Sequence, residues 1–166
     1  MLEHGTTTVE AKSGYGLTVK DELKILRVIR RLNQLHAVDV VPTFLGAHAV
    51  PSEYRNNPQG YVDLIINDMI PQAAAKKLAE FCDVFCESGV FSLEQSRRVL
   101  VAGRNHGLKL KVHADEMSML GGSELAAGVG AVSAEHLLFS SDVGIKAMAE
   151  RGVIAVLLPA AAFGLM

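Results

Sequence analysis

The chain has 166 residues, with 16 Lys and Arg against 18 Asp and Glu, a formal net charge of −2 and 49% hydrophobic residues. That length supports one domain with a real core, and a 20% share of charged residues beside many Leu, Ile and Val excludes a disordered chain. Without a basic block there is no electrostatic footprint for nucleic acid, and no apolar run approaches the roughly 18 residues that span a bilayer. Met1-Leu-Glu-His4 lacks the basic-then-apolar layout of a signal peptide. Cys82 and Cys86 lie on one face of an expected strand about 13 Å apart, too far for a disulfide. Reduced thiols and a cytoplasmic setting follow.

Taken in order, strand-length apolar runs alternate with helix-like segments. Thr6 to Lys12 is β-branched at its start and stops at the loop Ser13-Gly-Tyr-Gly16. Thr18 caps a helix with Asp21 and Glu22 in its first turn and an apolar stripe from Leu23 to Leu32. Val38 to Ala47 is the next strand, ending at His48, and a polar loop leads to a helix over Tyr61 to Phe81 that Pro71 interrupts. Asp83 to Cys86 is a short strand, and Ser92 with Gln95 forms a capping box for a helix reaching about Asn105. Leu108 to Val112 alternates at period two into His113-Ala-Asp-Glu116, and Gly121-Gly122 opens a helix. Ala131 to Ala134 leads into Glu135-His136, Ser140 or Ser141 caps a helix over Asp142 to Arg151, and Val153 to Leu158 is a strand fit for full burial, stopped by Pro159. Six strands alternating with helices mean parallel strands with helical crossovers, either a doubly wound sheet or a (β/α)8 barrel. No glycine-rich nucleotide fingerprint follows any strand.

Polar, chemically able residues stand where each strand ends: Lys12 and Tyr15, His48, Glu87, His113 with Asp115 and Glu116, then Glu135 and His136. In parallel α/β folds that edge builds the site. Imidazole is a common metal ligand, and a carboxylate three residues after His113 can bind substrate or move a proton. The plainer reading has His113 ending the strand and Asp115 or Glu116 capping the next helix, with His136 a buried, hydrogen-bonded histidine. Tyr15 is equally a loop aromatic packed over the rim. His4, His36 and His106 fall in loops or helix ends and read as surface residues, and Cys86 reads as an inert buried thiol.

Five segments in order then carry a likeness. His4 to Leu17, Thr43 to Pro51, Cys82 to Ser92, Lys111 to Glu116 and Gly130 to His136 together resemble the imidazolonepropionase family of the metal-dependent amidohydrolase superfamily. The resemblance implies an incomplete (β/α)8 TIM barrel over residues 1–166, about strands two to seven of eight. It also implies hydrolytic ring opening of 4-imidazolone-5-propanoate to N-formimidoyl-L-glutamate in histidine degradation. By the same resemblance His113 is a ligand to one Zn or Fe ion. Glu116 positions the ring and the attacking water, His136 polarises the carbonyl or stabilises the oxyanion, and Tyr15 and His48 bind the substrate. Glu87 stands where some superfamily members carry a lysine that bridges two metals, so the resemblance implies a single ion.

The departures are as informative. No His-x-His pair, no eighth-strand aspartate and no arginine of the family's substrate site are present, which leaves His113 as the one family ligand. The expectation is therefore an internal piece of such an enzyme, inactive or nearly so alone. Its two open sheet edges invite association with like copies or with a chain that supplies the missing strands. Two other readings stay open: a related cyclic amidohydrolase or deaminase, and a non-catalytic α/β module in which Tyr15, His48 and Glu116 bind a small ligand and metal changes nothing.

Overall fold

Six strands, all parallel, lie side by side in the order in which the chain makes them. In this computed structural model, which describes residues 1–165, they are β1 (Thr8–Lys12), β2 (Asp39–Ala47), β3 (Phe81–Cys86), β4 (Lys109–Ala114), β5 (Ser133–His136) and β6 (Ile154–Val156). Met166, the last residue of the domain expected over 1–166, lies outside the described residues. The crossovers carry α1 (Val19–Leu35), α2 (Pro58–Leu64), α3 (Ile70–Ala75), α4 (Leu93–Asn105), α5 (Gly122–Val129) and α6 (Asp142–Arg151), and α7 (Pro159–Leu165) follows the last strand. A doubly wound sheet reverses its strand order at a switch point. Here each strand adds to the same side as the one before, which is barrel winding, and the sheet is a half-barrel with β1 and β6 at its edges.

Local chemistry sets the helix starts. Thr18 Oγ1 accepts the Asp21 amide at 3.1 Å, and the Ser92–Gln95 capping box forms with both of its bonds. Of the two serines before α6, Ser141 is the cap, accepting the Gly144 amide at 2.9 Å, while Ser140 turns to Asp115.

Three expectations change. The helix expected over Tyr61 to Phe81 begins at Pro58 and ends at Ala75, and Phe81 opens β3 instead. Pro71 does not interrupt its helix: a π turn over Ile65–Met69 joins α2 to α3, and the Ile70 amide reaches back five residues to the Ile65 carbonyl. Widening the turn just ahead of the proline accommodates its ring and its missing donor. The run Val153 to Leu158 is not fully buried either. Val153 is buried, but Ile154 is 59% and Leu157 67% exposed, because β6 is an edge strand and its apolar content finds no cover.

The core lies between the outer face of the sheet and the helices. Val40, Phe44, Cys82, Val84, Leu110, Val112 and Ala134 project from the strands onto Leu23, Leu26, Ile65, Met69, Val99, Leu100 and Leu125. Gly103 of α4 lets that helix close on the sheet, since a Cβ there would stand 2.6 Å from the Cβ of Cys82.

Candidate active site at the carboxyl edge of the sheet

On the inner face, many of the residues between those core positions are charged. Glu10 and Lys12 come from β1, Asp83 from β3, Lys111 and His113 from β4, and Glu135 from β5. Lys12 Nζ sits 2.7 Å from Asp83 Oδ2 and 2.5 Å from Glu135 Oε2, a layer built from alternate strands. Lys111 Nζ bridges Glu10 at 2.7 Å and Glu135 at 2.8 Å, and Thr43 donates to Glu10 at 2.5 Å. Burial opposes charge on Glu10, Lys12 and Asp83, but pairing outweighs it. Asp83 is held below the usual carboxylate range by His113 and Lys12, and Lys12 is held above the usual lysine value by Asp83 and Glu135. Burial lowers His113, yet Asp83 more than offsets it and the imidazole ends above its ordinary value.

The five residues singled out by sequence come together along the edge above this layer. Tyr15 meets His48 edge-on with ring centroids 4.9 Å apart, His48 lies 6.0 Å from Phe85, Phe85 6.1 Å from His113, and His113 5.3 Å from His136. Glu116 closes the row, its Oε1 3.3 Å from His136 Nδ1. Burial lowers the His136 pKa, against the pull of Glu116. Phe85 is the link the sequence did not announce, an aromatic spacer between the Tyr15–His48 pair and the two histidines. His4, His36 and His106 are exposed, as expected.

Buried carboxylates fix the loops that carry these side chains. Asp115, with φ at +50°, caps α5 by accepting the Gly121, Gly122 and Ser123 amides at 2.8 to 3.0 Å, and its Oδ2 also takes the Ser123 and Ser140 hydroxyls. The helix-capping role belongs to Asp115, which leaves Glu116 free for His136. Glu87 accepts the Met117 amide at 2.8 Å, the Ser118 amide at 3.3 Å and the Ser118 hydroxyl, pinning the segment just after Glu116. Burial raises both carboxyls, but these donors outweigh it and both lie below the usual range. Burial pushes the Cys86 thiol up to about 11, so it is a packing residue and not a nucleophile.

Asp83, His113 and Glu135 place one donor atom each within 4.8 Å of one another, a candidate metal-binding triad among the described residues. One imidazole nitrogen with two carboxylate oxygens is a donor set that suits a single transition-metal ion. His113 Nδ1 is buried without a hydrogen-bond partner although it lies 3.0 Å from Asp83 Oδ2, as expected of a nitrogen with room for another partner. A cation there competes with the Lys12 ammonium for the same two carboxylates. Only His113 of this triad stood out as a ligand in the sequence. The available signal was period-two charge inside strands destined for burial, as in Glu10-Ala-Lys12 and Lys111-Val-His113.

A parallel half-barrel with imidazoles, carboxylates and a candidate metal triad at its carboxyl edge has the layout of a segment of a (β/α) barrel enzyme. The particular likeness is to imidazolonepropionase. The chain is 64% identical over 165 residues to the imidazolonepropionase of Brevibacillus brevis, covering 99% of this chain and 39% of that protein. It is 63% identical to that of Shouchella clausii, covering 99% and 37%, and 58% identical to that of Alkaliphilus metalliredigens, covering 100% and 39%. The chain thus spans about 39% of the length of the curated relatives it matches, a coverage that fits a fragment. No family model matches it. Among solved structures, a Xaa-Pro dipeptidase aligns with a TM-score of 0.61 at 18% identity, over 92% of this chain and 42% of that one. An ochratoxinase of A. niger aligns with a TM-score of 0.58 at 16% identity, over 93% and 42%. These two share the fold.

Proposed function

We propose that this chain carries the substrate side and part of the metal side of an imidazolonepropionase, the hydrolase that opens the ring of 4-imidazolone-5-propanoate to N-formimidoyl-L-glutamate in histidine degradation. The observation that carries the reading is the continuous row Tyr15–His48–Phe85–His113–His136–Glu116 along one sheet edge. In ring opening, a water oxygen bonds to the ring carbonyl carbon, the ring C–N bond breaks, and a proton passes to the departing nitrogen. Tyr15 and His48 hold the ring and its propionate. Glu116 orients the ring and the attacking water, and His136, beside that carboxylate, faces the carbonyl oxygen as charge develops on it. His113, with Asp83 or Glu135, would hold one Zn or Fe ion, which when bound lowers the pKa of its water toward about 7 and polarises the carbonyl.

With one family ligand present, the 166-residue chain by itself is expected to be inactive or nearly so. Its setting is cytoplasmic, in keeping with two free, buried cysteines. No helix of the described residues is long and apolar enough to cross a membrane. Titrating the chain with imidazole-4-propanoate while following ring resonances tests the reading. Shifts at Tyr15, His48 and His136 are expected, and no shift at any of the three overturns it. Stoichiometric metal together with turnover of the imidazolone would overturn the inactive-fragment part alone.

A further inference from the structure

Glu22 is an acid in the first turn of α1, where such a residue ordinarily faces water and serves the helix dipole. Here it is fully buried, and its carboxylate is spent on the loop before the helix. Oε2 accepts the Gly14 amide at 2.8 Å, and Oε1 accepts the Gly16 amide at 2.7 Å and the Leu17 amide at 2.9 Å. The residue skipped by this clamp is Tyr15, whose side chain is 80% exposed and stands edge-on to His48. Gly14 carries the hold further. Its carbonyl lies 3.1 Å from His48 Nδ1, and its φ of +109° belongs to glycine. A Cβ there would come within 2.7 Å of the Leu45 carbonyl and 2.9 Å of the His48 Cβ. A carbonyl only accepts, so a neutral His48 beside it carries its proton on Nδ1 and leaves Nε2 bare.

We propose that Glu22 is a positioning residue for the substrate side: by clamping the Gly14, Gly16 and Leu17 amides it sets the Tyr15 ring against His48 and, through the Gly14 carbonyl, fixes the His48 tautomer. This rests on the reading that Tyr15 and His48 bind the ring. The clamp is charge-assisted and desolvated, so its donors have no cheap substitute once it is removed.

The test uses the full chain and the Glu22→Gln variant, whose amide has one oxygen where the carboxylate has two. Amide exchange at residues 14, 16 and 17, the ring-nitrogen shifts of His48 and the affinity for imidazole-4-propanoate are read together. Loss of one charged acceptor is expected to speed exchange at the Gly14 amide, or at the Gly16 and Leu17 amides as a pair, by about tenfold or more. Strand β3 and β4 amides keep their protection. The His48 shifts move from the Nδ1–H form toward a mixture, and the probe dissociation constant rises about tenfold. Glu22→Asp, which keeps the charge with a shorter reach, recovers part of that affinity, and it supplies the same readings if the glutamine variant does not fold. Unchanged His48 shifts and affinity with a loosened loop overturn the proposal. So does loss of protection throughout the strands, which would make Glu22 a residue of general stability. If the unaltered chain fails to bind the probe, the substrate reading falls, while the exchange and tautomer readings still decide whether Glu22 governs the loop and His48.

Discussion

The two faces of the sheet are built from the same strands on opposite terms. Outward, Val40, Phe44, Cys82, Val84, Leu110 and Val112 pack under the helices without a charged group among them. Inward, at alternate positions, stand Glu10, Lys12, Asp83, Lys111 and Glu135, each tied to a partner of opposite charge, with the His113 imidazole 3.0 Å from Asp83. Apolar area removed from water holds the outer face, whereas the inner face survives burial only because every charge is matched. One backbone therefore supports a face that fixes the fold and a face able to do chemistry.

Experiments that remove one contributor from each face sharpen this contrast. The largest effect belongs to the outer face: Phe44, fully buried, should cost about 3–5 kcal/mol when cut to alanine, read from the urea midpoint. Lys12→Met leaves Asp83 and Glu135 facing each other without their shared cation. It should cost about 2 kcal/mol, discounted because the lysine side chain is 22% exposed. Adding Asp83→Asn should return part of that loss. If Lys12→Met is neutral, the inner face is not held by pairing and the contrast fails.

A smaller effect concerns the loop carboxylates. Glu87 and Asp115 have folded pKa values below the ordinary ones, so they contribute stability that is complete above about pH 4.5 and lost as pH falls through the lowered values. The urea midpoint should be flat from these groups between pH 7 and 5 and should fall below about pH 4. Glu87→Gln should make that acid slope shallower. The smallest response belongs to the cysteines. Both are buried and burial raises both thiols, so a thiol-alkylating reagent at pH 8 should label neither until denaturant is added. Rapid labelling of Cys86 would show the outer face to be open.

The strands, the caps and the edge residues were legible because their signals are local. Period-two alternation at Leu108 to Val112, the Ser92–Gln95 pair and a polar residue after each strand all lie within a few positions of one another. The inner network was not legible as a network, since Lys12 reaches Asp83 and Glu135 across 71 and 123 residues of chain. In sequence Lys12 and Glu135 read as strand-end charges and Asp83 as the first residue of a short strand. Glu22 misled for the opposite reason: a first-turn acid already has a sufficient local explanation, and its real partners lie upstream. Residues 153–158 misled because an apolar run records the capacity for burial, while exposure is decided by what packs on the strand, and β6 is an edge.

At the end of β5, His136 and Leu137 take φ of +75° and +62° in succession, held by bonds from the Leu137 amide to the Ala114 carbonyl and from the Phe139 amide to the Asp115 carbonyl. Glycine or asparagine would occupy position 136 with less backbone cost, so selection for stability alone would not place an imidazole there. Across a library of substitutions, position 136 should therefore trade one property against the other. Asparagine and glycine should fold at least as well as histidine and bind the ring less well, and valine and isoleucine should do neither. The histidine marks a point where the chain gives up some ruggedness to put a nitrogen beside Glu116.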